Sequence, residues 1–132
     1  MRVYYAHPVS EYNTLQESLN IAAIEQIFPG CKLVNPNQPY HEAQYQSFGM
    51  EYFEGLVRSC DMVVASPFPD GEYGMGVWRE MEVAANWQRP VRVLVTEKGT
   101  IEAQRINYQD IRPLSITETK RRVIESKLFG QK

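Results

Sequence analysis

Glu80 is an acidic residue in a setting where a carboxylate could do chemistry. It follows a loop with three glycines, Gly71, Gly74 and Gly76, and this loop comes directly after the continuous apolar run 62–65. Glycines let the backbone turn sharply and approach a ligand closely. The helical periodicity beyond the loop places Glu80 in the first helical turn, on the flank of the apolar face, where the helix N-terminus favours the ionised carboxylate. Such a carboxylate either pairs with a structural arginine or attacks an electrophilic carbon.

The loop before Glu80 contains one acidic and two aromatic residues of interest. Asp70 is the first candidate for the acid that protonates a leaving group. Phe68 and Tyr73 have flat faces that could stack on an aromatic ligand, and the prolines and glycines around them are typical of a lid. The glycine spacing matches neither a dinucleotide-binding Gly-x-Gly-x-x-Gly motif nor a P-loop, and we expect no cofactor.

Histidines and amides provide further candidates outside this loop. His7 follows the first apolar run, where it either contacts a phosphate or sugar or orders the turn before Pro8. His41 lies in a polar segment and is expected to be solvated. Asn35 and Gln38 belong to a turn-rich loop that offers a second place to hold a ligand. None of these residues has metal-ligand spacing, so no metal site is expected.

The elements that must position these groups alternate along the chain. Apolar runs predict strands at 3–6, 32–34, 62–65 and 91–95, with a fifth edge strand near 101–106. Helical periodicity predicts helices at about 15–28, 47–58 and 75–88, and a last helix after a capping pattern at Ser115 and Glu118.

This alternation predicts an α/β fold, a Rossmann- or flavodoxin-like three-layer sandwich with a mostly parallel sheet of four or five strands. The length of 132 residues suits one domain, 1–132. Ligands of such folds bind at the carboxyl ends of the strands. The loops 7–13, 35–45 and 66–76 are therefore expected to meet around one pocket.

Composition and charge narrow the classes of partner. The net charge is −2 and the longest basic run is 120–122, so a nucleic acid polymer is not expected as a partner. Apolar runs are too short for a signal peptide or a membrane span, so we expect a cytoplasmic protein without membrane contact. Cys31 and Cys60 flank predicted strands, where buried structural thiols are usual.

The segment 76–84, Gly-Val-Trp-Arg-Glu-Met-Glu-Val-Ala, resembles a family signature. The signature is the Gly-Thr-x-x-Glu-Ile-Gly-x-Ala of the nucleoside 2-deoxyribosyltransferase family, which includes deoxynucleotide N-glycosidases. Residues 57–65 resemble the helix and the Asp-hydrophobic strand that precede it in that family. Residues 3–8 resemble the opening strand of the family, which carries a site tyrosine. These segments are distributed over residues 1–95.

The resemblance implies that Glu80 is a nucleophile that cleaves or transfers the N-glycosidic bond of a (deoxy)nucleoside or nucleoside monophosphate through a covalent glycosyl-enzyme. It implies that Tyr4, or the adjacent Tyr5, orients Glu80, and that the chain forms a homodimer or larger homo-oligomer. Residues expected to contact the substrate are Tyr5, His7, Asn35, Gln38, Phe68, Gly71, Tyr73, Gly74 and Gly76.

Two departures from the signature support an alternative. Val77 replaces its threonine and Glu82, expected to point into solvent, replaces its glycine. The aspartate that the family carries in the helix before the third strand is also missing. A nucleotide-binding sensor domain without turnover, on the same Rossmann-like scaffold, is therefore the alternative function.

Overall fold

The computed structural model describes residues 1–106 and 113–129, in which five strands form one sheet. The order of the strands in the sheet is β2-β1-β3-β4-β5. The first four strands run parallel, and β5 pairs antiparallel with β4 at one edge. The strands are β1 (Arg2–Ala6), β2 (Lys32–Val34), β3 (Met62–Ala65), β4 (Val91–Glu97) and β5 (Thr100–Arg105).

Helices connect the parallel strands and pack on the sheet. A short 3-10 helix, Val9–Glu11, follows β1. This architecture confirms the predicted α/β fold with its mostly parallel sheet. The α-helices of the described residues are α1 (Leu15–Ile27), α2 (Pro39–Phe48), α3 (Met50–Arg58), α4 (Met75–Asn86) and α5 (Ile116–Phe129).

Strand β1 lies near the middle of the sheet, and its side chains alternate between the two layers. Tyr4 belongs to the core cluster that includes Met81 of α4. Val3 and Tyr5 belong to the opposite cluster, which includes Ile24 of α1. Successive residues of a strand point to opposite faces of its sheet. Tyr4 and Tyr5 therefore pack on opposite faces of the sheet, in different layers of the protein.

Helix α2 departs from the prediction, which had a loop at 35–45 and a helix beginning near residue 47. Pro39 occupies the first turn of α2, where its fixed φ is compatible with a helix start. Gly49 has a φ of 69° and separates α2 from α3. A glycine adopts this left-handed conformation without a steric penalty and ends helices for that reason. The helix predicted at 47–58 thus corresponds to α3, whereas α2 occupies much of the predicted loop and brings its own side chains to the pocket.

The capping pattern at the start of α5 is confirmed. The amide N–H of Glu118 donates to Oγ of Ser115 at 3.1 Å. Within residues 1–106 and 113–129, none of the helices combines the length and the apolar character that crossing a membrane requires.

Candidate active site

A cavity of about 250 Å³ lies beyond the carboxyl end of β1. Its wall combines β1 and the turn after it, the loop 66–74, and helices α2, α3, α4 and α5. Parallel α/β sheets bind ligands at this end of their strands. The sequence predicts that the segments 7–13, 35–45 and 66–76 meet around one pocket, and residues of all three line this cavity.

Tyr4 and Glu80 meet in the wall of the cavity. The Tyr4 hydroxyl donates a hydrogen bond to Oε2 of Glu80. Tyr4 is fully buried and Glu80 is only 7% exposed. The alternation of β1 puts Tyr4 and Tyr5 on opposite faces of the sheet, and α4 packs on the face of Tyr4.

The surroundings of Glu80 favour its neutral form. Burial raises the pKa of Glu80 to about 8; the hydrogen bond from Tyr4 lowers it, and the nearby Glu54 raises it. The expectation of an ionised carboxylate in the first helical turn is wrong. Helix α4 begins at Met75, so Glu80 lies in the second turn, where burial outweighs the helix N-terminus.

Two phenols line the cavity beside this carboxyl group. Burial raises the pKa of Tyr4 well above its usual range, and the adjacent Glu80 raises it further. Burial also raises the pKa of Tyr12, and the charges of Glu80, Glu17 and Glu42 add to the effect. Both phenols therefore remain protonated and act as hydrogen-bond donors at neutral pH.

Asp70, the predicted acid, does not line this cavity. Its carboxylate pairs with Arg122 of α5, and Glu72 lies 3.3 Å from the same guanidinium. Oδ1 of Asp70 also accepts from the amide of Glu72 at 3.1 Å. The acidic segment thus fastens the loop to α5, and the structure does not bring Asp70 to Glu80.

The two aromatic residues of the loop have separate positions. Phe68 is 3% exposed and lines the cavity. Tyr73 is not part of the wall; it is buried in the core, with its ring centroid 6.4 Å from that of Trp78. A Tyr73 side chain in the core is not available for stacking on a ligand.

The glycines of the loop also differ from one another. Gly71 has a φ of 87° and serves a turn away from the cavity wall. Gly74 caps α4, and a Cβ placed there would come within 2.9 Å of Thr119 Cγ2 and 3.2 Å of Phe68 Cε2. Gly76 lines the cavity, and a Cβ placed there would meet no atom within 4 Å.

His7 lines the cavity, but both of its ring nitrogens have partners within the protein. Nδ1 lies 3.0 Å from the carbonyl oxygen of Tyr5, and Nε2 lies 2.7 Å from Oε2 of Glu17. The ring stacks on Tyr5 at a centroid distance of 3.8 Å. This geometry favours the turn-ordering role over a contact with a phosphate or sugar.

Tyr5 belongs to a buried polar network on the α1 side of the sheet. Its hydroxyl donates to Oε1 of Glu11 and accepts from Nδ2 of Asn20 at 2.9 Å. The same Glu11 oxygen accepts from Oγ of Ser66 at 3.0 Å. The network ties the ends of β1 and β3 to α1 and leaves Tyr5 outside the cavity wall.

Asn35 and Gln38 line a second cavity of about 690 Å³. Oδ1 of Asn35 accepts from the amide of Asn37 at 2.9 Å, which shapes the turn before α2. Nδ2 of Asn37 donates to both carboxylate oxygens of Glu17. The second cavity shares Tyr12, Pro36 and Glu42 with the first, so the two are neighbours.

Helix α2 contributes side chains that sequence reasoning missed. Glu42 and Tyr45 of α2 line the first cavity, together with Met50 and Phe53 of α3. The missed signal was Pro39, a residue typical of the first position of a helix. His41 lies on α2 with Nδ1 2.5 Å from the Tyr52 hydroxyl, whereas we expected a solvated loop residue.

Compared with known proteins, the chain matches no family model and no curated sequence. The family resemblance of residues 76–84 therefore stays a prediction. In the part of the chain that the structure describes, no three His, Cys, Asp or Glu side chains group as a metal site. The chemistry available in the cavity is that of a hydrogen-bonded carboxyl group with aromatic and acidic neighbours.

Proposed function

We propose that this protein cleaves or transfers the N-glycosidic bond of a (deoxy)nucleoside or nucleoside monophosphate, with Glu80 as the nucleophile. The observation that carries the proposal is the Tyr4–Glu80 pair in the wall of a cavity at the carboxyl end of β1. The resemblance of residues 76–84 to a family signature centred on a glutamate gives further support.

In this mechanism one Glu80 oxygen attacks the anomeric carbon of the sugar. The bond from that carbon to the base breaks, its electron pair leaves with the base, and a glycosyl ester forms on Glu80. Water then resolves the ester in hydrolysis, or a second base resolves it in transfer. Tyr4 donates to Oε2 and so holds the carboxylate while Oε1 reacts.

The raised pKa of Glu80 sets a condition on this mechanism. A carboxyl group must be ionised to act as a nucleophile, and at pH 7 the protonated form predominates. Attack therefore needs a higher pH or a ligand that stabilises the charge. Glu42 is the other acidic residue of the cavity wall among the described residues, and Asp70 lies outside it.

The burial of Glu80, which raises its pKa to about 8, also favours the alternative function. A neutral carboxyl group bonded to Tyr4 suits a cavity that binds a nucleotide without reacting with it. In a sensor domain of this kind, ligand would bind and leave unchanged.

A base-release assay separates the two functions. Wild-type protein, Glu80→Gln and Glu82→Gln are incubated with a panel of nucleosides and monophosphates, and free base is measured by chromatography. Glu82 is exposed on the same helix and provides a matched control. We expect release by the wild type and the control, and loss by Glu80→Gln of at least about 100-fold, typical of a lost catalytic group. Ligand binding by the wild type without release would favour the sensor.

A further inference from the structure

The walls of the two neighbouring cavities carry acidic side chains. Glu80 and Glu42 line the first cavity, and Glu42 and Glu17 line the second. Among the described residues neither wall includes a lysine or arginine. A phosphate group would find no lysine or arginine among these wall residues to pair with.

Two arginines of neighbouring helices are held outside the cavities by ion pairs. Arg79 of α4 pairs with Glu54 of α3. Arg122 of α5 pairs with Asp70 and with Glu72. These pairs leave the guanidinium groups outside the cavity walls.

His7 is the one basic side chain in the wall of the first cavity among the described residues. Its Nε2 is 2.7 Å from a Glu17 oxygen, and its Nδ1 faces the carbonyl of Tyr5. Both ring nitrogens are therefore engaged within the protein, and neither is directed at a ligand. Among the described wall residues, an ionised Glu80 therefore has no positively charged partner. The balancing positive charge must come from another source.

Aromatic rings form much of the remaining wall. The hydroxyl-bearing rings are Tyr4, Tyr12 and Tyr45, and the others include Phe53 and Phe68. A flat cation gains electrostatic energy against the face of such a ring, and it gains more when water is excluded. The same cation would stabilise the ionised form of Glu80 by Coulomb attraction.

We propose that the substrate is an unphosphorylated nucleoside whose base is positively charged, such as an N-ribosylpyridinium or an N-alkylated purine nucleoside. This inference rests on the proposed glycosyl transfer. It follows from a cavity wall whose described residues include carboxyl groups and aromatic rings but no lysine, no arginine and no unpartnered histidine.

A cationic base also removes the need for the acid that Asp70 does not supply. A carboxylate oxygen of Glu80 bonds to the anomeric carbon, and the electron pair of the carbon–nitrogen bond neutralises the departing base. The base leaves without gaining a proton. Water then hydrolyses the glycosyl ester, giving the free sugar, regenerated Glu80 carboxylate and one released proton.

Three probes that share a ribosyl group test the inference. Nicotinamide riboside has a cationic base, and inosine has a neutral base. Nicotinamide mononucleotide is nicotinamide riboside with an added 5′-phosphate. Base release is measured by chromatography and divided by the uncatalysed rate of each probe, because cationic nucleosides also hydrolyse faster in water. Binding to Glu80→Gln is measured by calorimetry, since this variant holds ligand without turnover.

We expect nicotinamide riboside to show at least about tenfold greater rate enhancement and tighter binding than either other probe. The Glu42→Gln substitution should reduce severalfold the preference of the protein for binding nicotinamide riboside over inosine. Glu51→Gln, which changes an exposed α3 residue outside both walls, should preserve that preference.

The outcomes distinguish this inference from the proposed function. Equal or greater enhancement with inosine or the mononucleotide would overturn the cationic substrate and leave glycosyl transfer intact. Preferred binding of nicotinamide riboside without release of base from any probe would overturn glycosyl transfer and support a cationic ligand.

Discussion

The hydroxyl of Tyr4, on β1, donates a hydrogen bond to Oε2 of Glu80, which lies 76 residues later on α4. Both side chains are buried, so this bond acts in surroundings of low dielectric. It stabilises the charged form of a carboxyl group that burial otherwise keeps neutral.

Tyr4→Phe should raise the pKa of Glu80 above its present value of about 8, because the variant removes the donor that lowers it. Titration of Glu80 by carbon-13 NMR measures this change directly. The increase of the base-release rate with rising pH should shift to higher pH by a similar amount. Loss of one buried hydrogen bond should cost about 1 kcal/mol of unfolding free energy. An unchanged Glu80 titration would contradict the assigned contact.

Glu80→Gln should change the pH dependence of stability. The pKa of Glu80 is 4.5 in its unperturbed state and about 8 in the folded protein. Between these values the folded state keeps a proton that the unfolded state loses, so the free energy of unfolding falls as pH rises and levels off above pH 8. The decrease is on the order of 3–5 kcal/mol.

Urea denaturation of wild type and Glu80→Gln at pH 5, 6.5 and 8 measures this effect. The glutamine variant has no ionisable group at this position, so its stability should fall less across the same range. Glu82→Gln should follow the wild type, because this side chain is exposed. Parallel curves for wild type and Glu80→Gln would show that Glu80 titrates normally.

Gly74→Ala and Gly76→Ala form a matched pair in the first turn of α4. The added methyl at residue 74 would collide with Thr119 and Phe68, and we expect a loss of about 1–3 kcal/mol in stability. The methyl at residue 76 meets open space, and alanine favours a helix over glycine by about 1 kcal/mol.

Gly76→Ala should therefore fold at least as stably as the wild type and bind ligand more weakly, because its methyl narrows the cavity. Thermal melts and calorimetric titrations separate the two effects. Equal destabilisation in both variants would contradict the packing of α4 against α5.

Asp70→Asn should leave the turnover rate and its pH profile unchanged. Asp70 pairs with Arg122 outside the cavity wall, and a partly exposed ion pair contributes about 1 kcal/mol at most. Steady-state kinetics from pH 5 to 9 tests this expectation. A lost alkaline limb in the variant, with reduced turnover, would restore Asp70 as the proton donor.

Homo-oligomer formation stays a prediction. Apolar side chains of α1 are exposed to solvent, with Leu15 at 75% and Leu19 at 47%. Obligate interfaces typically bury exposed apolar side chains such as these between subunits. Light scattering at micromolar concentration should give at least a dimer, and Leu15→Glu with Leu19→Glu tests α1 as the interface. A wild-type monomer would contradict the expectation.

Local patterns in the sequence were sufficient to predict the sheet and the helix that carries Glu80. The run 62–65 is apolar throughout because β3 is buried on both faces. The period of α4 correctly separated buried Met81 from exposed Glu82. Helix α2 was missed because its residues are mostly polar and no apolar period marks them, although Pro39 and Gly49 mark its ends.

The sequence by itself determined that Tyr4 and Tyr5 face opposite sides of β1, since the strand period is two. Which of them meets Glu80 depends on the side where α4 packs, and that is a property of the tertiary structure. Likewise Asp70 is close to Glu80 in sequence, yet it pairs with Arg122, 52 positions later. The pKa of Glu80 was also misjudged from sequence, because burial depends on neighbours from distant segments, and burial is its largest determinant.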